Sequence, residues 1–159
     1  MFKCAVDIVG PSNIFTLLKT IPPYWKPMMS LFTSRVGDPE KDKELLRAAS
    51  PLFSADKIHI PMLIGQGAND PRVNQAEAER IVSALEKNGQ HVVYVVYSDE
   101  GHGFARPENR IDFDARAEKF LGAHLGGRVE PLPGGKVPGS TAVVREVGGK
   151  PAGNKISAR

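Results

Sequence analysis

Between residues 61 and 97 two short apolar runs flank one helical stretch, and this pattern limits the chain to very few folds. Pro61-Met62-Leu63-Ile64-Gly65 reads as a short strand running into the loop Gln66 to Pro71. Asn74 with Glu77 three residues on makes a capping-box-like helix start, and Ala78, Ile81, Val82 and Leu85 follow at helical spacing. Asn88-Gly89 stops that helix. Val92 to Tyr97 is a continuous β-branched and apolar run, as expected of a parallel strand covered on both faces. Strand, helix and strand with short connections form a βαβ unit, and βαβ units build a parallel sheet.

The flanking segments extend the pattern. Cys4 to Val9 reads as another buried strand, closed by Gly10-Pro11. Ile14 to Leu18 fits a short helix, and the prolines from Pro22 to Pro27 break any continuation. Asp38-Pro39 reads as a helix start, with the helix running to about Ala49. Pro107 can open a last helix with an apolar stripe at Phe113, Ala117, Phe120, Leu121 and His124, ended by Gly126-Gly127. Three parallel strands leave an open edge, which is a liability. With Met1 almost directly on a strand, the expectation is that part of the architecture lies upstream.

Charge divides the chain at residue 125. Residues 1–125 hold 15 Lys and Arg against 16 Asp and Glu, whereas 126–159 hold six basic residues against two acidic ones. The body is near neutral and gives no electrostatic case for nucleic acid. The 126–159 segment has eight Gly, four Pro and no aromatics, and it reads as a flexible extension. No apolar run approaches the ~18 to 20 residues of a membrane span. The single cysteine, Cys4, lies in an apolar run and reads as a structural thiol.

In open α/β sheets, function collects at the carboxyl ends of the strands. Asp70 follows one such end and His102 another, 32 residues apart with one helix and one strand between. That order puts both loops on one edge of the sheet. An aspartate and a histidine meeting there make an orienting acid and a general base. The competing reading of Asp70 is structural, since Asn-Asp-Pro is ordinary turn chemistry. The glycines on either side of His102 favour close backbone approach or unusual dihedrals around one polar ring.

Gly65-Gln66-Gly67-Ala68-Asn69-Asp70-Pro71-Arg72-Val73 and Glu100-Gly101-His102-Gly103-Phe104 together resemble the C-terminal catalytic region of the prolyl oligopeptidase family, which includes dipeptidyl and acylaminoacyl peptidases. Each motif alone is shared with carboxylesterases. The resemblance spans about residues 1–125. It implies the C-terminal half of an α/β-hydrolase fold, with Asp70 as triad acid and His102 as triad base, a peptide substrate and no cofactor. The family's serine elbow, Gly-x-Ser-x-Gly-Gly, has no counterpart here. Gly10-Pro11-Ser12-Asn13-Ile14 lacks the closing glycine and follows the wrong strand, so the nucleophile and the oxyanion donors are expected on a missing N-terminal part of the same protein. The chain alone is then expected to be inactive, because a general base needs a nucleophile to activate.

Two further readings use the same residues: an esterase or lipase fragment with the same triad, and a non-catalytic α/β binding module independent of Asp70 and His102. Other groupings are weaker. Asp99-Glu100-Gly101-His102 offers three potential metal ligands but no second histidine at zinc-like spacing. His59, His91 and His124 read as structural. Arg72 reads either as a hydrogen-bond donor near the acid loop or as a surface residue. Tyr24-Trp25 reads as packing or, less favoured, as a substrate-pocket wall.

Overall fold

The computed structural model describes residues 2–148. A four-stranded sheet in the order β1-β2-β3-β4 carries the fold: β1 Ala5–Ile8, β2 Met62–Gly67, β3 Val92–Tyr97 and β4 Ala142–Val147. The first three strands are parallel, with Ile8 beside Gly65 and Gly67 beside Tyr97. β4 runs antiparallel to β3, with Ala142 beside Tyr97 and Val147 beside Val92.

β4 departs from the flexible extension expected over residues 126–159. Ala142 and Val147 are buried at the two ends of β4, and the four residues between them are exposed, as on an edge strand. A run of six residues was diluted by the glycines and prolines around it. The strand pairs with β3, in the common arrangement of an antiparallel edge strand on a parallel sheet. The remainder of that expectation, residues 149–159, lies outside the described residues.

Five α-helices flank the strands: α1 Ile14–Lys19, α2 Met29–Arg35, α3 Lys43–Ala49, α4 Gln75–Lys87 and α5 Pro107–Leu125. α4 buries Ala78, Ile81, Val82 and Leu85 against Ile64, Val92 and Tyr94. A second cluster joins Leu63, Val95 and Tyr97 to Phe113 and Phe120 of α5. Apolar side chains therefore alternate to both faces of β2 and β3, which accounts for the unbroken hydrophobicity of 92–97.

Two helix starts differ from the sequence reading. The segment at Asp38-Pro39 is a turn, its Asp38 carboxylate accepting from the Glu40 and Lys41 amides, and α3 begins only at Lys43. At α4, Asn74 caps the helix by accepting from the Ala76 amide, but the Glu77 side chain does not close a capping box. It turns inward, fully buried, and accepts from the Asn13 amide at 2.9 Å and from the Thr16 hydroxyl and Arg80 guanidinium. The burial of a carboxylate requires such donors, and these ones tie α1 to α4.

Candidate active site

The carboxyl ends of β2 and β3 are stitched together before either reactive side chain is placed. The Ala68 amide donates to the Tyr97 carbonyl at 3.0 Å, and the Asn69 amide donates to the Glu100 carbonyl at 2.9 Å. The Asn69 side-chain amide donates to the Ser98 carbonyl at 2.9 Å. Gly67 permits this approach, because a Cβ there would stand 2.1 Å from the Gly101 carbonyl oxygen. Gln66 is buried and donates to the Val73 carbonyl at 3.0 Å, folding the acid loop back on its strand.

Asp70 sits inside this loop with its side chain sealed from solvent. One oxygen, Oδ1, accepts from the Arg72 and Val73 amides at 2.8 and 2.9 Å. The other, Oδ2, lies 2.9 Å from His102 Nδ1. The His102 side chain is 31% exposed, so the pair grades from buried acid to open imidazole. A carboxylate on Nδ1 selects the tautomer protonated there and leaves the Nε2 lone pair free to take a proton. The structure brings both residues to one edge of the sheet and into contact.

The loop around His102 is anchored on both sides. Glu100 is buried and accepts from the Ala105 and Arg106 amides at 2.8 and 2.9 Å and from Asn109 Nδ2 at 2.8 Å. Asp99 accepts from Arg106, Asn109 and the Thr141 hydroxyl. The Thr141 hydroxyl first, with Arg106 and Asn109, holds the Asp99 carboxyl down at about 2. The acids of Asp99-Glu100-Gly101-His102 thus serve the loop's own donors, and among the described residues no group of three or more His, Cys, Asp or Glu is arranged to hold a metal. Phe104 packs on Tyr97 and Phe113, at ring separations of 4.6 and 5.0 Å.

Ser12 is buried, and its hydroxyl donates to the Glu77 carbonyl at 2.7 Å, a structural role far from that of a nucleophile. Among the described residues no serine hydroxyl bonds to His102, whose one hydrogen-bond partner is Asp70. Arg72 is exposed; its amide donates to Asp70, and its guanidinium lies 5.9 Å from the Trp25 ring. Trp25 packs against Phe32, while Tyr24 is largely exposed. His59 is exposed, His91 Nε2 lies 2.8 Å from Glu146 Oε1, and His124 packs on Phe120. Burial, then the neighbouring His91, pulls the His124 imidazole below its ordinary value.

Sequence reasoning gave the turn after β1 but missed its strain. Val9 has φ 51°, an outlier for a β-branched residue, at the same edge of the sheet. Asp7 is beside it, its carboxyl raised by burial against the lowering effect of the Gly10 amide. The dipeptide Gly10-Pro11 signalled a turn but not this strain.

The mixed, mostly parallel sheet with its flanking helices is that of the C-terminal half of an α/β-hydrolase fold, and an aspartate and a histidine are in contact across two adjacent strand ends. Comparison with known proteins gives the family. The model of the prolyl oligopeptidase family matches residues 1–128, and the chain belongs to that family. The chain is 56% identical over 133 residues to the dipeptidyl aminopeptidase BIII of Pseudoxanthomonas mexicana, covering 82% of this chain and 19% of that protein. It is 43% identical over 151 residues to the dipeptidyl peptidase family member 6 of Caenorhabditis elegans, covering 92% of this chain and 20% of that protein. The chain therefore spans about a fifth of the length of the relatives it matches. Among solved structures, a puromycin-hydrolyzing peptidase of Mycobacterium tuberculosis superposes with TM-score 0.73 at 27% identity, over 82% of this chain and 20% of that one. The acylaminoacyl peptidase of Pyrococcus horikoshii shares the fold with TM-score 0.70 at 21% identity, over 82% of this chain and 22% of that one.

Proposed function

We propose that this chain is the acid–base segment of a longer serine peptidase that cleaves short peptides. The observation that carries the reading is the 2.9 Å contact between Asp70 Oδ2 and His102 Nδ1 at the carboxyl ends of two adjacent parallel strands. A serine on an upstream segment attacks the scissile carbonyl. His102 Nε2 takes its proton and returns it to the leaving amine, while Asp70 orients the ring and stabilises the imidazolium. Asp70 suits that role because its second oxygen is held by two amides, which fixes the carboxylate before substrate arrives.

Membership of the prolyl oligopeptidase family supports the peptidase chemistry. The names of the two relatives support dipeptide release as the substrate class. The short span relative to those proteins supports a nucleophile outside this chain. The outer edge of β1, unpaired among the described residues, suits a further strand.

The test uses the complete enzyme, meaning this chain preceded by its upstream segment or, in a hybrid, by that of the Pseudoxanthomonas mexicana relative. His102→Ala and Asp70→Asn should each lower kcat on a dipeptidyl amide by roughly 10³-fold or more. Activity that survives His102→Ala overturns the assignment. Turnover of esters without amides would keep the acid–base pair and overturn the peptidase reading.

A further inference from the structure

We infer that Thr141, on the segment that follows the family domain, is a positioning residue for the loop carrying His102; this rests on the function proposed above. The family model ends at residue 128, and the chain then returns to the sheet to form β4. Because β4 is antiparallel to β3, its first residue faces Tyr97, the last residue of β3. Thr141 therefore arrives at the sheet edge where the His102 loop leaves it.

The contacts made there are directed and reciprocal. The Thr141 hydroxyl donates to Asp99 Oδ1, three residues before His102. The Thr141 amide donates to Asn109 Oδ1 at 2.9 Å. Asn109 is buried and passes the connection on, its Nδ2 lying 2.9 Å from Asp99 Oδ1 and 2.8 Å from Glu100 Oε1. Asp99 also accepts from Arg106, four residues after His102. Thr141 thus completes a clamp on both ends of the loop.

The segment leading to Thr141 is itself fixed. The Val137 amide donates to Asp112 Oδ1 at 3.0 Å, and Arg116 bridges Asp112 and the Gly135 carbonyl. An extension that only covered an edge would need β4 alone. This one places a hydroxyl and an amide on two of the residues that hold the histidine loop, Asp99 and Asn109. Displacement of a general base by a fraction of an ångström costs rate without removing any reacting group.

The experiment compares Thr141→Val, which keeps the shape and removes the donor, with Thr141→Ser, which keeps the donor, in the complete enzyme. Thr33→Val serves as control, since that hydroxyl only bonds locally to the Ser30 carbonyl. At a temperature where all variants are folded, Thr141→Val should lower kcat about five- to tenfold with KM within about twofold, and Thr141→Ser should stay within about twofold of the parent. Hydrogen exchange across residues 98–106 should quicken in Thr141→Val and not in Thr141→Ser or Thr33→Val. Unchanged kcat and unchanged exchange in a Thr141→Val protein overturn the inference, whatever happens to its melting temperature. His102→Ala is measured in parallel. If it abolishes turnover while Thr141→Val does not alter it, only the positioning role fails; if His102→Ala is fully active, both fail.

Discussion

Substitution of alanine for Gly67 should damage the enzyme more than substitution at Gly101, although Gly101 is the direct neighbour of His102. A Cβ on Gly67 would lie 2.1 Å from the Gly101 carbonyl oxygen and 2.7 Å from that of Glu100. Carbon and oxygen settle at about 3.3 Å, so the two loops must part by roughly 1 Å. Both obstacles are backbone, and no side chain can swing aside. The hydrogen bond from the Asn69 amide to the Glu100 carbonyl spans the same gap. Overpacking of this kind costs about 2 to 3 kcal/mol. The movement also stretches the 2.9 Å Asp70–His102 contact towards the limit of hydrogen bonding, and a misplacement of about 1 Å can cost about 100-fold in rate. At Gly101 a Cβ meets nothing nearer than 3.9 Å, so Gly101→Ala should fall within about 0.5 kcal/mol of the parent. Thermal unfolding and kcat of the two variants, in the complete enzyme, read both effects. If Gly67→Ala matches the parent in stability and rate, the argument that Gly67 sets the approach of the two loops is wrong.

Other consequences concern the supports of the site. Glu77→Ala leaves the Asn13 amide, the Thr16 hydroxyl and Arg80 without their shared acceptor, and should cost about 3 kcal/mol in denaturant unfolding. A cost under about 1 kcal/mol would show that α1 is held by other means. Tyr97→Phe removes a buried hydroxyl that donates to Asp112 at 2.9 Å, and should cost about 1 kcal/mol, since Arg116 and the Val137 amide still serve that carboxylate. Asp99 has its carboxyl lowered to about 2, so its contribution is present above the ordinary carboxylate range near 4 and is lost as pH falls through 2. Hydrogen exchange at the Thr141 end of β4, taken relative to the intrinsic amide rate at each pH, should therefore accelerate between about pH 4 and pH 2; a flat ratio over that window would disconnect Asp99 from the strand.

The placement of Asp70 and His102 was legible because its information is local. Each follows an apolar run of strand length, and the helix between them has caps and periodicity that agree with its tertiary role. Residues whose roles depend on distant partners were not legible in the same way. Glu77 has the spacing of a capping box, yet burial against Asn13, Thr16 and Arg80 outweighs the short local bond. Asp38-Pro39 has the residues of a helix start, yet they close a turn, and the helix waits for Lys43. β4 was hidden because it is only six residues within a glycine- and proline-rich stretch, and its stability comes from pairing with β3. Thr141 belongs to no motif, and only the antiparallel return of the chain brings it to Asp99.

The central claim is that His102 and Asp70 act on a serine supplied from outside this chain. Fluorophosphonate labelling, read by mass on the 159-residue chain and on the complete enzyme, tests it most directly. The expected result is no adduct on the chain alone, one adduct on an upstream serine of the complete enzyme, and loss of that adduct in His102→Ala. An adduct on a serine within residues 1–159, or labelling of the complete enzyme that is indifferent to His102→Ala, would contradict it.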